Sequence, residues 1–138
     1  MQKATQDPTD VLGGLALFAD LTRPQLEAIT HIFEEVRFSP GDRILREGFT
    51  GNGFYVILEG EAVFSRDDVE GGRLAKGDFF GEVSALLGEP PISDVVAASD
   101  LRCLLLGGPQ LQEFLEEHPK VMYRMLQAEA ARLRNATL

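Results

Sequence analysis

"GFYVILEGEAVFS", residues 53–65, decides how the rest of the chain is read. Tyr55, Ile57, Val63 and Phe64 are strand formers, and Glu59-Gly60 breaks the run in the middle. Two short strands joined at a tight turn are expected, in the manner of a β-hairpin. A polar turn over "DDVEGG" (67–72) and a short strand "RLA" follow. "KGD" (76–78) turns the chain again before Phe79 and Phe80. Further on, "SDVVAAS" and "RCLLL" read as two more strands. On the other side, "SPGD" (39–42) has Pro then Gly at its centre, the signature of a type II turn, and "RILREG" follows as a strand closed by Gly48. Many short strands about 8–12 residues apart indicate a sandwich or barrel.

Helical patterns flank this run. Residues 1–9 are polar and read as a loose tail ahead of one domain over 10–138. Asp10 is placed to cap a short helix over "VLGGLALF". Thr22 caps a better-marked helix with Pro24 in its first turn and Leu26, Ile29, Ile32 and Phe33 at helical spacing. After the strands, Leu111, Phe114 and Leu115 mark a short helix, and Pro119 opens the last one. There Val121, Met122, Met125, Leu126 and Leu133 share a stripe that Arg124, Glu129, Arg132 and Arg134 mostly avoid.

Bulk properties narrow the function. The 138 residues suit one domain with a hydrophobic core, and the net charge of -9 argues against a nucleic-acid partner. No segment is apolar over the roughly 20 residues that a bilayer span needs. "VLGGLALFA" lacks the basic start of a signal peptide. Cys103 is the one cysteine, sits in an apolar run, and reads as a small buried hydrophobe, which fits a cytoplasmic protein. His31 and His118 lie outside the strands, so no metal site and no cofactor is expected, and no nucleophile–base set points to an enzyme. Asp67, Asp68 and Glu70 lack calcium-loop spacing and read as a solvated turn.

Four stretches together resemble the cyclic-nucleotide-binding domain family of the catabolite activator and protein kinase regulatory subunit type. They are "LFADLTRPQLEAI" (17–29), "VRFSPGDRILREG" (36–48), "NGFYVILEGEAVF" (52–64) and "GDFFGEVSALLGEPP" (77–91). The resemblance implies a mainly β fold: a β-jelly roll (double-stranded β-helix) with N-terminal helices, a short cassette helix and C-terminal helices. It implies that Gly81 and Glu82 open a phosphate-binding cassette, Glu82 holding the ribose hydroxyl. Val83 and Ser84 would then offer backbone N–H groups to the phosphate, with Ser93 completing the ligand set.

The family's next landmark is an Arg that pairs with the cyclic phosphate. Ungapped, Pro91 takes that position; a one-residue slide places Ile92 there. A charge-assisted hydrogen bond contributes roughly 1.5–3 kcal/mol and Arg offers two, so the loss is on the order of 3 kcal/mol, about a hundredfold in affinity. Asp94, if it faced the ligand about 4 Å away, would add repulsion of roughly 4 kcal/mol at an effective dielectric near 20. Arg73, Lys76 and Arg102 are the cations considered as substitutes.

The expectation is a stand-alone regulatory domain without the phosphate-anchoring Arg, acting through a protein partner. The alternative is a sensor that reads a cyclic nucleotide, or another nucleotide second messenger, through a pocket of its own kind. If the chain is complete at Leu138, directly after its last helix, no DNA-binding helix-turn-helix is expected. Met122, Met125, Leu126 and Leu133 are the candidate interface of a homodimer, or else pack onto the domain itself.

Overall fold

The computed structural model describes residues 7–48, 53–67 and 69–137. Two four-stranded antiparallel sheets form a sandwich. One runs in the order β1 (Glu34–Phe38), β8 (Leu101–Gly107), β3 (Gly53–Glu59), β6 (Phe79–Phe80). The other runs β2 (Arg43–Leu45), β7 (Asp94–Ala97), β4 (Ala62–Arg66), β5 (Val69–Leu74). Helices α1 (Pro8–Gly13), α2 (Arg23–Ile32), α4 (Leu111–Glu117) and α5 (Pro119–Thr137) flank them, and α3 (Glu82–Leu87) follows β6. This is the expected jelly roll with its helices at both ends and its short cassette helix between.

The quoted run is apolar without alternation because β3 is buried on both faces. Phe54, Val56 and Leu58 pack with Phe18, Ile29 and Phe114 beneath the helices. Tyr55 and Ile57, pointing the other way, pack between the sheets with Phe80, Val95 and Cys103. A strand covered on two sides has no polar face to keep.

The two strands of that run do not form a hairpin. β3 pairs with β6 and β8, whereas β4 pairs with β5 and β7 in the opposite sheet. The turn at Glu59-Gly60 therefore carries the chain from one sheet to the other. Gly60 has φ +95°, and a Cβ there would lie 2.1 Å from the Asp100 carbonyl oxygen. Only glycine fits that crossing. The next turn is tighter than expected: Asp67 takes φ 53°, and residues 69–72, read as turn, already belong to β5.

The N-terminal helix also begins earlier than expected. Asp7, not Asp10, caps α1 through its side chain to the Thr9 N–H at 2.8 Å, so residues 8 and 9 leave the expected tail. Gly13 and Gly14 end this helix, and Ala16–Phe18 form a separate 3-10 turn. Thr22 does cap α2, with a reciprocal capping box to Gln25. Leu26 and Ile29 are buried, whereas Ile32 is exposed. In α5, Val121 and Met125 enter the core and Met122, Leu126 and Leu133 face solvent, so the expected single stripe splits in two.

Candidate functional site

A cleft of about 730 Å³ opens between α3, the 89–93 loop, the β2-β7-β4 sheet and the end of α5. It is built from the end of β6 onward. Gly81 turns the chain from strand to helix at φ +87°, and a Cβ on it would sit 1.9 Å from the Gly53 carbonyl oxygen. Gly88 ends α3 at φ +67°, with its N–H donating to the Ser84 carbonyl oxygen. Between the two glycines, Glu82 and Ser84 turn inward and Val83 stays exposed. Leu45, Phe64, Phe80 and Val95 form an apolar floor. Pro90, Pro91 and Ile92 make one wall, and Leu133 and Ala136 of α5 stand at another.

All the residues expected to hold a ligand come together here: Gly81, Glu82, Val83, Ser84 and Ser93 line the cleft, as does Pro91. Pro91 is buried, and its carbonyl accepts from the Gly48 N–H at 2.9 Å, which ties the wall to the end of the β2 segment. Asp94 does not join them. Alternation along the chain sends Ser93 and Val95 into the cleft and turns Asp94 aside. Its carboxylate accepts from the Glu47 N–H at 2.7 Å and lies 3.6 Å from Arg43. The repulsion expected of Asp94 therefore has no geometric basis.

The cations considered as substitutes are placed elsewhere. Arg73 pairs with Glu61 and Glu70 on the outer strands, and buried Arg102 pairs with Glu35 at 2.7 Å on the other sheet. Lys76 likewise lies outside the cleft lining. Among the described residues, the cation that does line the cleft is Arg132, from α5. It donates to Glu82 Oε1 at 2.7 Å, to Glu129 Oε1 at 3.1 Å and to the Phe79 carbonyl at 2.9 Å. Its guanidinium also lies over the Phe79 ring, 4.4 Å from the centroid, a cation–π arrangement. Sequence reasoning placed Arg132 on the solvent side. Yet Val121, Met125, Ala128 and Arg132 recur at helical spacing, which puts this arginine on the inward face.

Glu82 is the electrostatic centre of the cleft. It is only 3% exposed, and its Oε2 has no hydrogen-bond partner among the described residues. Burial pushes its carboxyl up to about 8, the adjacent Glu129 carboxylate adds to the rise, and Arg132 opposes it. Two carboxyl groups thus share one guanidinium, and the pair of α5 and α3 is held by that contact. Near the other end of α5, Arg124 makes a two-pronged pair with Asp20 at 2.8 and 2.9 Å. The last helix is clamped at two points.

Other reactive groups lie apart. Cys103 is fully buried between the sheets, and burial pushes its thiol up to about 12, so it is unreactive there. His118 bonds the Phe114 carbonyl through Nδ1 at 2.8 Å. No helix among the described residues is long and apolar enough to cross a membrane.

A sandwich of this topology, with a glycine-bounded helix carrying an inward Glu and a C-terminal helix across its mouth, defines a class. The sequence pattern of the cyclic nucleotide-binding domain matches residues 35–118, and the chain belongs to that family. It is 34% identical over 99 residues to a cAMP-dependent protein kinase regulatory subunit of Hypocrea atroviridis, covering 72% of this chain and 21% of that protein. The chain thus spans about a fifth of that relative's length. The N-terminal domain of a transcriptional regulator from Streptomyces coelicolor A3(2) is 31% identical, with a TM-score of 0.69 over 93% of this chain and 92% of that one. A regulatory subunit of a cAMP-independent protein kinase A from Trypanosoma brucei is 28% identical, with a TM-score of 0.71 over 86% of this chain and 45% of that one.

Proposed function

We propose that this cyclic nucleotide-binding domain regulates through contact with a protein partner and has given up the family's phosphate pairing. One observation carries the reading: Arg132, the cation of the cleft, is spent on the carboxyl that would take the ribose, and Pro91 stands where the phosphate-pairing Arg is expected. A cyclic phosphate entering this site would shed its hydration without a free cation to replace it. That the Trypanosoma brucei relative regulates a cAMP-independent kinase is consistent with this division of fold from ligand.

The partner surface we favour is the outer face of α5. Tyr123 and Leu126 are exposed there with Met122 beside them, and Leu133, exposed at the edge of the cleft, continues the spacing of a helix–helix seam. Met125, expected in this interface, belongs to the domain's own core. The same face suits pairing with a second copy or with another protein's helix. The buried single cysteine fits a cytoplasmic setting, and the acidic net charge disfavours nucleic acid.

The second reading, a sensor for a nucleotide second messenger, is favoured by the intact Gly81–Gly88 geometry and by the inward placement of Glu82 between those glycines. Calorimetric titration of ligand-stripped protein with cAMP, cGMP and cyclic dinucleotides separates the two. The proposal expects no saturable heat from any of them. Low-micromolar binding that weakens in Glu82→Ala would establish the sensor instead.

A further inference from the structure

The cleft presents large apolar side chains to solvent and keeps its charges engaged with one another. Val83 and Leu87, one turn apart on α3, Ile92 of the 89–93 loop and Leu133 of α5 all line it, and are between 49% and 71% exposed. Phe64 of β4, half-buried, lies on the floor among them. Singly exposed apolar residues are ordinary, but these converge from two helices, a loop and a strand on one concavity, which marks a binding site. The volume, about 730 Å³, suits a drug-sized molecule. A partner helix would need an open-ended face to lie along, whereas α3, the 89–93 loop and the end of α5 stand as walls around this floor.

The polar corner of the cleft is closed on itself. Arg132 donates to Glu82 Oε1, Glu129 Oε1 and the Phe79 carbonyl, and covers the Phe79 ring. Glu129 balances its charge, and Glu82 keeps its proton up to about 8, so at neutral pH this corner has no net charge to offer. Glu89 stands exposed at the rim. An ion of either sign would shed its hydration here with no countercharge waiting, whereas an uncharged body has little to shed. Ser84 and Ser93 add two neutral hydroxyls to the lining. We propose that the cleft binds an uncharged, mainly apolar small molecule, its body covered by Val83, Leu87, Ile92, Leu133 and Phe64 and its neutral polar end meeting the Ser84 or Ser93 hydroxyl. This ligand class rests on the engaged Arg132 of the proposed function and not on the partner contact, so the two fail separately.

The test is an NMR titration of the full chain at neutral pH with three probes that share one body: 2-(1-naphthyl)ethanol, 2-(1-naphthyl)ethylamine and 1-naphthylacetate. The alcohol is expected to bind about fivefold or more tighter than either ion, with shifts centred on Val83–Leu87, Ser93 and Leu133. Leu87→Ser with Ile92→Ser, both exposed and so expected to leave the fold intact, should weaken the alcohol about tenfold. Leu126→Ser, on the outer face of α5, should leave it within about twofold. An ion that binds as tightly as the alcohol, shifts centred on the outer face of α5, or no saturable shift with any probe overturns the proposal. Rim signals that move on dilution of the chain alone, with no probe bound, assign the rim to a second copy and overturn it as well. Saturable binding of cAMP, measured separately, overturns the proposed function and leaves the order of the three probes as the test of this ligand class.

Discussion

The two halves of the 81–94 segment obey different rules. The first half, Gly81 to Gly88, is fixed by backbone geometry: two left-handed glycines bound a short helix, and one of them touches the Gly53 carbonyl where no side chain fits. The second half, Glu89 to Asp94, is fixed by side chains. It contains two prolines, a buried carbonyl contact and an aspartate turned away toward Arg43, and no cation. A cradle is therefore kept by what the fold requires, while the chemistry of the ligand is set by residues the fold does not require.

The largest effect is expected in the first half. Gly81→Ala forces a Cβ into the Gly53 carbonyl at an unfavourable φ, and is expected to cost about 3 kcal/mol or more in a denaturant melt. A cost below about 1 kcal/mol would show that the glycine serves a ligand rather than the fold.

Next comes the clamp between the cassette and α5. Arg132→Ala leaves Glu82 buried without its donor and is expected to lose about 2 kcal/mol of stability at alkaline pH, where that carboxyl is ionised. The loss should shrink as the pH falls below about 8, where Glu82 holds its proton in either case.

The same carboxyl gives a pH signature. Its folded value, about 8, lies above the ordinary 4.5, so the folded state holds a proton that the unfolded state has released between those limits. Its contribution to stability is therefore fully present below about pH 4.5 and is lost as the pH rises through about 8. Arg132 and Glu129 face Glu82 from α5, and Glu89 shares the cleft. The unmodified chain should lose at most ~1.4 kcal/mol per pH unit from this group across that window, and Glu82→Gln should flatten the slope. A slope unchanged by Glu82→Gln would place the titration elsewhere.

The smallest effect on the fold lies outside both halves. Leu126→Ser with Leu133→Ser, at 63% and 66% exposure, should change stability by no more than about 0.5 kcal/mol each. Light scattering should nevertheless show the loss of any self-association through α5. A variant that associates as the parent does would remove that face from consideration.

Most of the fold is legible in the residues because the turns announce themselves. Pro40-Gly41, Gly60, Gly77 and Gly88 all sit at positive-φ turns or ends, apart from the proline itself. The sheet assignment of β3 and β4 is not legible. A short turn at Glu59-Gly60 has the same local signal whether it joins paired strands or crosses between sheets, and only Asp100 against Gly60 distinguishes them. In the cleft, Gly81, Glu82, Ser84 and Ser93 are legible from the family resemblance. Arg132 is not, since a charged residue on a terminal helix looks solvated until its partner Glu82, 50 residues earlier, is seen to be buried. Long-range pairing of charges leaves no local periodic trace.

On the proposed function, the missing cation, and not a damaged cradle, separates this domain from cyclic-phosphate binding. The most direct test is a calorimetric titration of Pro91→Arg with cAMP beside the unmodified chain. Pro91→Arg is expected to show saturable binding that gains about a hundredfold or more over the parent and is lost again in Pro91→Arg with Glu82→Ala. A Pro91→Arg protein that is folded and binds cAMP no better than its parent would contradict it.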